Sequence, residues 1–194
     1  MQPFGESFNG VMRLFSFLPY LSKISICGLG IALMFQLGCS KGRDTQILVV
    51  GMELSYPPFE MTDENNKPTG ISVEMAQALA NRLGKTLRIE NIPFAGLIPA
   101  LKTGKIDLII SSMTRTEERA QSISFSNPYL HTGLCVLVSK SCDSNSITDI
   151  DQFGAKVAVK QGTTGHIYAN ANLKKAEILI FDKESAASLE VAQG

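Results

Sequence analysis

The chain has 194 residues, 44% of them hydrophobic and 19% charged, a globular composition with room for one domain or two small lobes. Eighteen basic side chains balance eighteen acidic ones, so there is no cationic surplus for a phosphate backbone and no acidic tail, which argues against a nucleic-acid partner. Two histidines and four scattered cysteines, with no CxxC, HxxxH or HExxH, offer no ligand set for zinc, and no metal or other cofactor is expected.

Residues 24–37 (ISICGLGIALMFQL) form a charge-free apolar run, preceded by Arg13 and Lys23 and followed at once by Gly38, Cys39 and Ser40. That is the layout of a secretory signal. At about 1.5 Å per residue the run reaches about 21 Å, short of the roughly 30 Å core of a bilayer, so a spanning helix is the weaker reading. Leu37-Gly38-Cys39 resembles the cleavage box of bacterial lipoproteins, where the cysteine becomes the lipidated first residue; Gln36, where that box usually has Leu, is a departure. The alternative is an incidental Cys39 beside an ordinary cleavage site. The expected division is a lipoprotein-type signal peptide over 1–38 and a polar tether over 39–46. The rest is expected in the periplasm or, lipid-anchored, on the outer face of the cytoplasmic membrane.

Ile47 to Gly51 (ILVVG) reads as a buried strand, followed by a turn at Tyr56-Pro57-Pro58 and a surface loop from Asp63 to Pro68. From Ser72, the residues Val73, Ala76, Leu79, Ala80 and Leu83 recur at helical spacing and stop at Gly84. Leu87 to Glu90 is a second strand, Leu97, Ile98 and Leu101 mark a helix ending at Gly104, and Ile106 to Ile110 is a third strand. This alternation predicts an α/β fold with a mostly parallel sheet and right-handed crossovers.

A helical turn over Thr116 to Gln121 and an irregular stretch from Phe125 to Gly133 precede Leu134 to Val138 (LCVLV), expected as a strand joining two lobes. Beyond the polar stretch Ser139 to Ser146 a second α/β set is predicted: strand Lys156 to Val159, a Gly-rich turn at Gln161 to Gly165, helix His166 to Leu173, strand Ile178 to Phe181 and helix Lys183 to Gln193. Lobe 1 is placed at 47–133 and a partial lobe 2 at 134–194. Cys135 and Cys142 are expected to stay unbridged, because seven extended steps hold them about 23 Å apart whereas bridged Cα atoms lie within about 7 Å.

Three clusters could carry chemistry. Ser111, Ser112, Met113 and Thr114 follow the strand 106–110 at the sheet edge where open α/β sheets bind ligands, and Arg119 comes soon after. A guanidinium takes a carboxylate bidentately while hydroxyls and backbone N–H groups meet its other lone pairs. The bland alternative is that Ser112 and Thr114 cap the helix and Arg119 pairs with Glu117 or Glu118 at the surface. Gln161-Gly162-Thr163-Thr164-Gly165 opens a helix whose N-terminus favours negative charge, though most such turns only cap, and it lacks the ending of a P-loop. Glu53 and Tyr56 follow the first strand and Phe94 precedes a helix; a carboxylate with two aromatic faces suits a flat cation, unless Phe94 is core and Glu53 solvated. His131 and His166 lack a spaced acid and nucleophile and are read as surface or supporting residues.

In order along the chain, Gly70-Ile71-Ser72-Val73-Glu74-Met75, Phe94-Ala95-Gly96-Leu97-Ile98-Pro99-Ala100-Leu101, Gly104-Lys105-Ile106-Asp107-Leu108-Ile109-Ile110, Thr116-Glu117-Glu118-Arg119, Phe125-Ser126-Asn127-Pro128-Tyr129 and Val157-Ala158-Val159-Lys160-Gln161-Gly162-Thr163 resemble the bacterial extracytoplasmic solute-binding proteins of family 3, the polar amino-acid receptors of ABC importers. Ser72 departs from the family, which usually has an acid there. The resemblance implies a two-lobed, type II periplasmic-binding-protein-like α/β fold with its second lobe incomplete, since the family continues for several further elements. It implies a monomer that binds a small amino acid and docks on an ABC permease in the cytoplasmic membrane.

On that resemblance Arg119 is the ligand for an α-carboxylate, helped by Ser112, Thr114 and Thr164, with Ser111 beside them, while Glu53, Tyr56 and Phe94 read the side chain. An acid beside two aromatics is similar to the basic amino-acid receptors and favours an arginine-like ligand. Lys160, at a position that faces the side chain in glutamine-type receptors, makes glutamine the runner-up. Two other classes remain: a periplasmic enzyme of the same fold acting on a small carboxylic acid, for which Glu53 is the candidate acid or base, and a ligand-sensing domain.

Overall fold

The computed structural model describes residues 44–194. The expected signal peptide 1–38 with Cys27, the expected lipidation site Cys39 and the start of the tether lie outside the described residues. Among the described residues no helix is long and apolar enough to cross a membrane.

Strand β1 (Ile47–Met52) is the centre of the first sheet, with β5 (Thr86–Asn91) parallel on one side and β6 (Leu108–Ile109) parallel on the other. Successive strand side chains point to opposite faces. Leu48, Val50 and Met52 therefore meet Ala76 and Ala80 of helix α1 (Ile71–Arg82), while Val49 meets Leu97 and Ala100 of α2 (Leu97–Lys102) together with Ile92 and Ile106. Each large side chain buried this way contributes about 1.5–3 kcal/mol. A Cβ on Gly51 would come within 2.4 Å of the Ile106 Cδ1, so any larger residue there would make the Ile106 side chain shift on the second face of β1.

The strand expected over 106–110 pairs only at Leu108–Ile109. Before them Asp107 takes over the ladder: its N–H donates to the Val49 carbonyl at 2.8 Å and its Oδ2 accepts the Val49 N–H at 2.9 Å. Between β1 and α1 lies a small antiparallel sheet that the turn and loop signals did not reveal, made of β2 (Ser55–Tyr56), β3 (Glu60–Thr62) and β4 (Pro68–Thr69).

Helix α3 spans Glu117–Ser122 and a short α4 spans Ile147–Ile150. A second, two-stranded parallel sheet follows, β7 (Lys156–Lys160) and β8 (Glu177–Phe181), with α5 (Thr164–Asn172) between them and α6 (Glu184–Gln193) after. Its core is Val159, Ala169 and Leu173, with Ile147 of α4 packed against it. The expected strand over Leu134–Val138 does not form. The segment has no ladder partner among the described residues, and Leu134 and Leu137 are 57% and 65% exposed; apolar content favours a strand, but pairing makes one. Cys135 and Cys142 are both free and exposed.

Candidate ligand-binding site

The C-terminal ends of strands from both parallel sheets supply the site: β1 runs into Glu53, β6 into Ser111 and Ser112, and β7 ends on Lys160. Ser111 ties the first two together, its Oγ accepting the Glu53 N–H at 3.0 Å.

Arg119 lies buried in α3. The helix is capped by Thr116, whose Oγ1 accepts the Arg119 N–H at 3.2 Å, so Ser112 and Thr114 are not its cap. The guanidinium donates from Nη1 to the Thr114 carbonyl at 2.6 Å and from Nη2 to the Gly162 carbonyl at 2.7 Å, with Cζ 5.5 Å from the centre of the Phe94 ring. It makes no ion pair with Glu117, Glu118 or any other carboxylate among the described residues. Carbonyl dipoles take two of its five N–H groups without neutralising its charge. Burial lowers its pKa below the ordinary arginine value, with Glu118 opposing from a distance.

Lys160 and Glu53 form an ion pair, both residues buried, and the Lys160 Nζ lies 5.4 Å from the centre of the same Phe94 ring. Phe94 is thus neither plain core nor solvent-facing: its ring is the floor beneath two cations. Glu53 is not solvated either. Tyr56 is 41% exposed and stacks on Phe59, the ring centres 6.0 Å apart, and its pKa is raised chiefly by burial, then by Glu184, Glu60 and Cys135.

The turn after β7 is shaped by its side chains. Thr163 donates to the Lys160 carbonyl at 2.8 Å and accepts the His166 N–H, while His166 Nδ1 accepts the Gly162 N–H at 3.1 Å. Gly162 has φ +74°, and a Cβ there would stand 3.2 Å from that of Ala95, so this turn sits directly on the chain beside Phe94. Thr164 begins α5, where backbone N–H groups of a first turn have no acceptor within the helix.

Residue spacing did not single out Glu60, which is 1% exposed at the start of β3. Its carboxylate accepts from Ser72 Oγ at 2.5 Å, Ser112 Oγ at 3.1 Å and Ser111 Oγ at 3.4 Å. The partners lie 12, 52 and 51 residues away, so no local motif announces them. His166 is a supporting residue, its Nδ1 accepting the Gly162 N–H, and a hydrogen bond from the Arg119 guanidinium to the Gly162 carbonyl cannot be read from side-chain patterns at all.

Residues 48–190 match Bacterial extracellular solute-binding proteins, family 3. The chain belongs to that family. Its fold is the two-lobed α/β type II periplasmic-binding fold, of which it spans part. Over 147 residues it is 33% identical to an L-arginine-binding protein of Pseudomonas aeruginosa, covering 75% of this chain and 56% of the relative. Over 145 residues it is 32% identical to the L-cystine-binding protein TcyJ of Escherichia coli, covering 75% and 54%. The chain therefore spans little more than half the length of these curated relatives. Among solved structures it is similar to an ancestral amino acid-binding protein described as a precursor of cyclohexadienyl dehydratase, with TM-score 0.73 and 38% identity over 77% of this chain and 66% of that one.

Proposed function

We propose that this family 3 chain is the extracytoplasmic receptor of an ABC importer and binds a polar L-amino acid in the cleft between a lobe over 47–133 and a partial lobe over 134–194. One observation carries the reading: a buried guanidinium, Arg119, that no carboxylate of the described chain neutralises. A buried charge without a counter-charge is costly, and a ligand carboxylate supplies one in a geometry the planar fork matches. Thr114, Thr164, Ser111 and Ser112 line the same strand and helix ends and complete the polar contacts of the amino-acid backbone.

Glu53, Tyr56, Phe94 and Lys160 read the side chain. An arginine-like ligand is favoured, with glutamine next. A guanidinium would lie over Phe94 and reach Glu53, taking the place Lys160 holds, and an L-arginine-binding protein stands among the relatives. Closure of the lobes over the ligand is what a permease would recognise, and no covalent step is involved. A lipid on Cys39 would keep the receptor at the outer face of the membrane.

Calorimetric titration of the chain with arginine, lysine, ornithine, glutamine and glutamate tests this. Saturable binding of arginine is expected. No heat with any of the five, from a sample whose circular dichroism shows it folded, rejects the reading.

A further inference from the structure

Three elements converge on the buried carboxylate of Glu60. It sits on β3; Ser72 reaches it from the first turn of α1, and Ser111 and Ser112 from the end of β6. The approach of α1 is specific. Gly70 has φ +111°, and a Cβ there would fall 2.4 Å from the Phe59 carbonyl, so only glycine lets the helix start this close to β3. Ser112 is itself held at φ +50°, a left-handed conformation rare for serine, which turns its hydroxyl onto Glu60.

A hydroxyl has one proton and two lone pairs. The Ser111 Oγ donates to Glu60 and accepts from the Glu53 N–H, and the Ser112 Oγ also donates to Glu60. While Glu60 is ionised, neither serine has a proton left for anything in the cleft; both offer only lone pairs, one of which on Ser112 faces the Tyr129 hydroxyl. We propose that Glu60 is a positioning residue of the pocket: it takes the hydroxyl protons of Ser111 and Ser112 and so makes that strand end an acceptor for the ammonium group of the amino acid, leaving the carboxylate to Arg119. The inference rests on the receptor reading above. It also assigns the polarity of the site, since the carboxylate end of the ligand finds no donor at these two hydroxyls.

Burial raises the Glu60 pKa above the ordinary carboxylate value, while the three serine hydrogen bonds and the charge of Lys160 pull it back down. The other titratable groups facing it are Tyr56 on β2 and Tyr129 on the extended segment, each raised by burial first and by Glu60 next or later, so both are neutral where Glu60 titrates. No ion pair engages Glu60 among the described residues. Once Glu60 is protonated it must donate to one of the three serines, and its neutral carboxyl no longer holds the Ser111 and Ser112 protons away from the cleft as firmly, so the acceptor face weakens.

The test is calorimetric titration of the 194-residue chain with L-arginine and with L-glutamine from about pH 8 down through the ordinary carboxylate range to about pH 4, for the wild type, Glu60→Gln and Ser72→Ala. The wild type is expected to lose roughly tenfold in affinity for both ligands on acidification, as Glu60 protonates. Glu60→Gln should bind about tenfold more weakly at neutral pH, with a flatter profile, because the amide must donate to one of the serines. Ser72→Ala touches no ligand but removes one donor from the carboxylate, so the loss of affinity should move to higher pH. A folded wild type that binds neither ligand overturns the receptor reading and this inference with it. A wild type that binds while both variants keep its affinity and its pH profile overturns the inference alone. If Glu60→Gln does not fold, an unmoved pH profile in Ser72→Ala has the same consequence.

Discussion

Lys160 and Glu53, the residues at the ends of β7 and β1, form a buried ion pair over the ring of Phe94. A lysine of the chain thus holds the place that a cationic ligand side chain would take. Removing one partner of a buried pair leaves the other charge uncompensated, at a cost of about 3–5 kcal/mol. Glu53→Gln should therefore lower the melting temperature and weaken arginine more than glutamine. Lys160→Met leaves Glu53 free for the ligand, and arginine should tighten roughly tenfold relative to glutamine. Competition calorimetry with the two amino acids checks both; equal changes for the two ligands in both variants would remove the pair from side-chain recognition.

Arg119 gives two of its five N–H groups to the Thr114 and Gly162 carbonyls and so links the segment after β6 to the turn after β7. Arg119→Ala should abolish measurable binding of every α-amino acid. Arg119→Lys keeps a charge but loses the planar fork that spans both carbonyls, and it should still weaken binding by about a hundredfold, near 3 kcal/mol. Titration of the lysine variant at the temperature where circular dichroism shows it folded gives the answer; affinity near that of wild type would mean that charge alone suffices.

Much of the first sheet was legible because its signals are local. Val73, Ala76, Leu79 and Ala80 recur at helical spacing and face β1, and the runs around β1, β5, β7 and β8 lie within a residue or two of the strands formed. Leu134–Val138 misled for the opposite reason: its composition favours a strand, but a strand requires a neighbour, which composition does not encode. Arg119, Lys160 and Glu53 were visible as charges at strand and helix ends, yet their pairing was not. Lys160 meets Glu53 and Glu60 meets three serines only after the chain has crossed between sheets.

Gly162 carries two demands at once. Its φ of +74° costs an L-residue about 1–2 kcal/mol, and a Cβ would press on Ala95 at 3.2 Å. Gly162→Ala should destabilise the chain by roughly 2 kcal/mol and push the turn off the Phe94 segment, moving the carbonyl that Arg119 uses. Chemical denaturation would measure the first effect and ligand titration the second. A variant as stable as wild type with intact binding would show that the turn yields freely.

Asp151 and Glu60 pull the pH dependence of stability in opposite directions. Asp151 Oδ1 accepts three backbone N–H groups, from Lys174 at 2.8 Å, Lys175 at 2.7 Å and Ala176 at 3.1 Å, and the bonds from Lys175 and Ala176 lead in lowering its pKa below the ordinary aspartate value. A lowered folded pKa adds stability above the unfolded value and loses it as pH falls through the folded one. Glu60 has the reverse sign: raised by burial, it costs nothing below its unfolded pKa, and the cost grows as pH rises to the folded value. Asp151→Asn should therefore flatten the acid limb of a melting-temperature profile, and Glu60→Gln should remove a decline that begins in the ordinary carboxylate range and runs upward. Variant profiles that both run parallel to that of the wild type would mean that these carboxylates titrate alike folded and unfolded, and that neither the loop anchored on Asp151 nor the serine cluster around Glu60 sets their protonation.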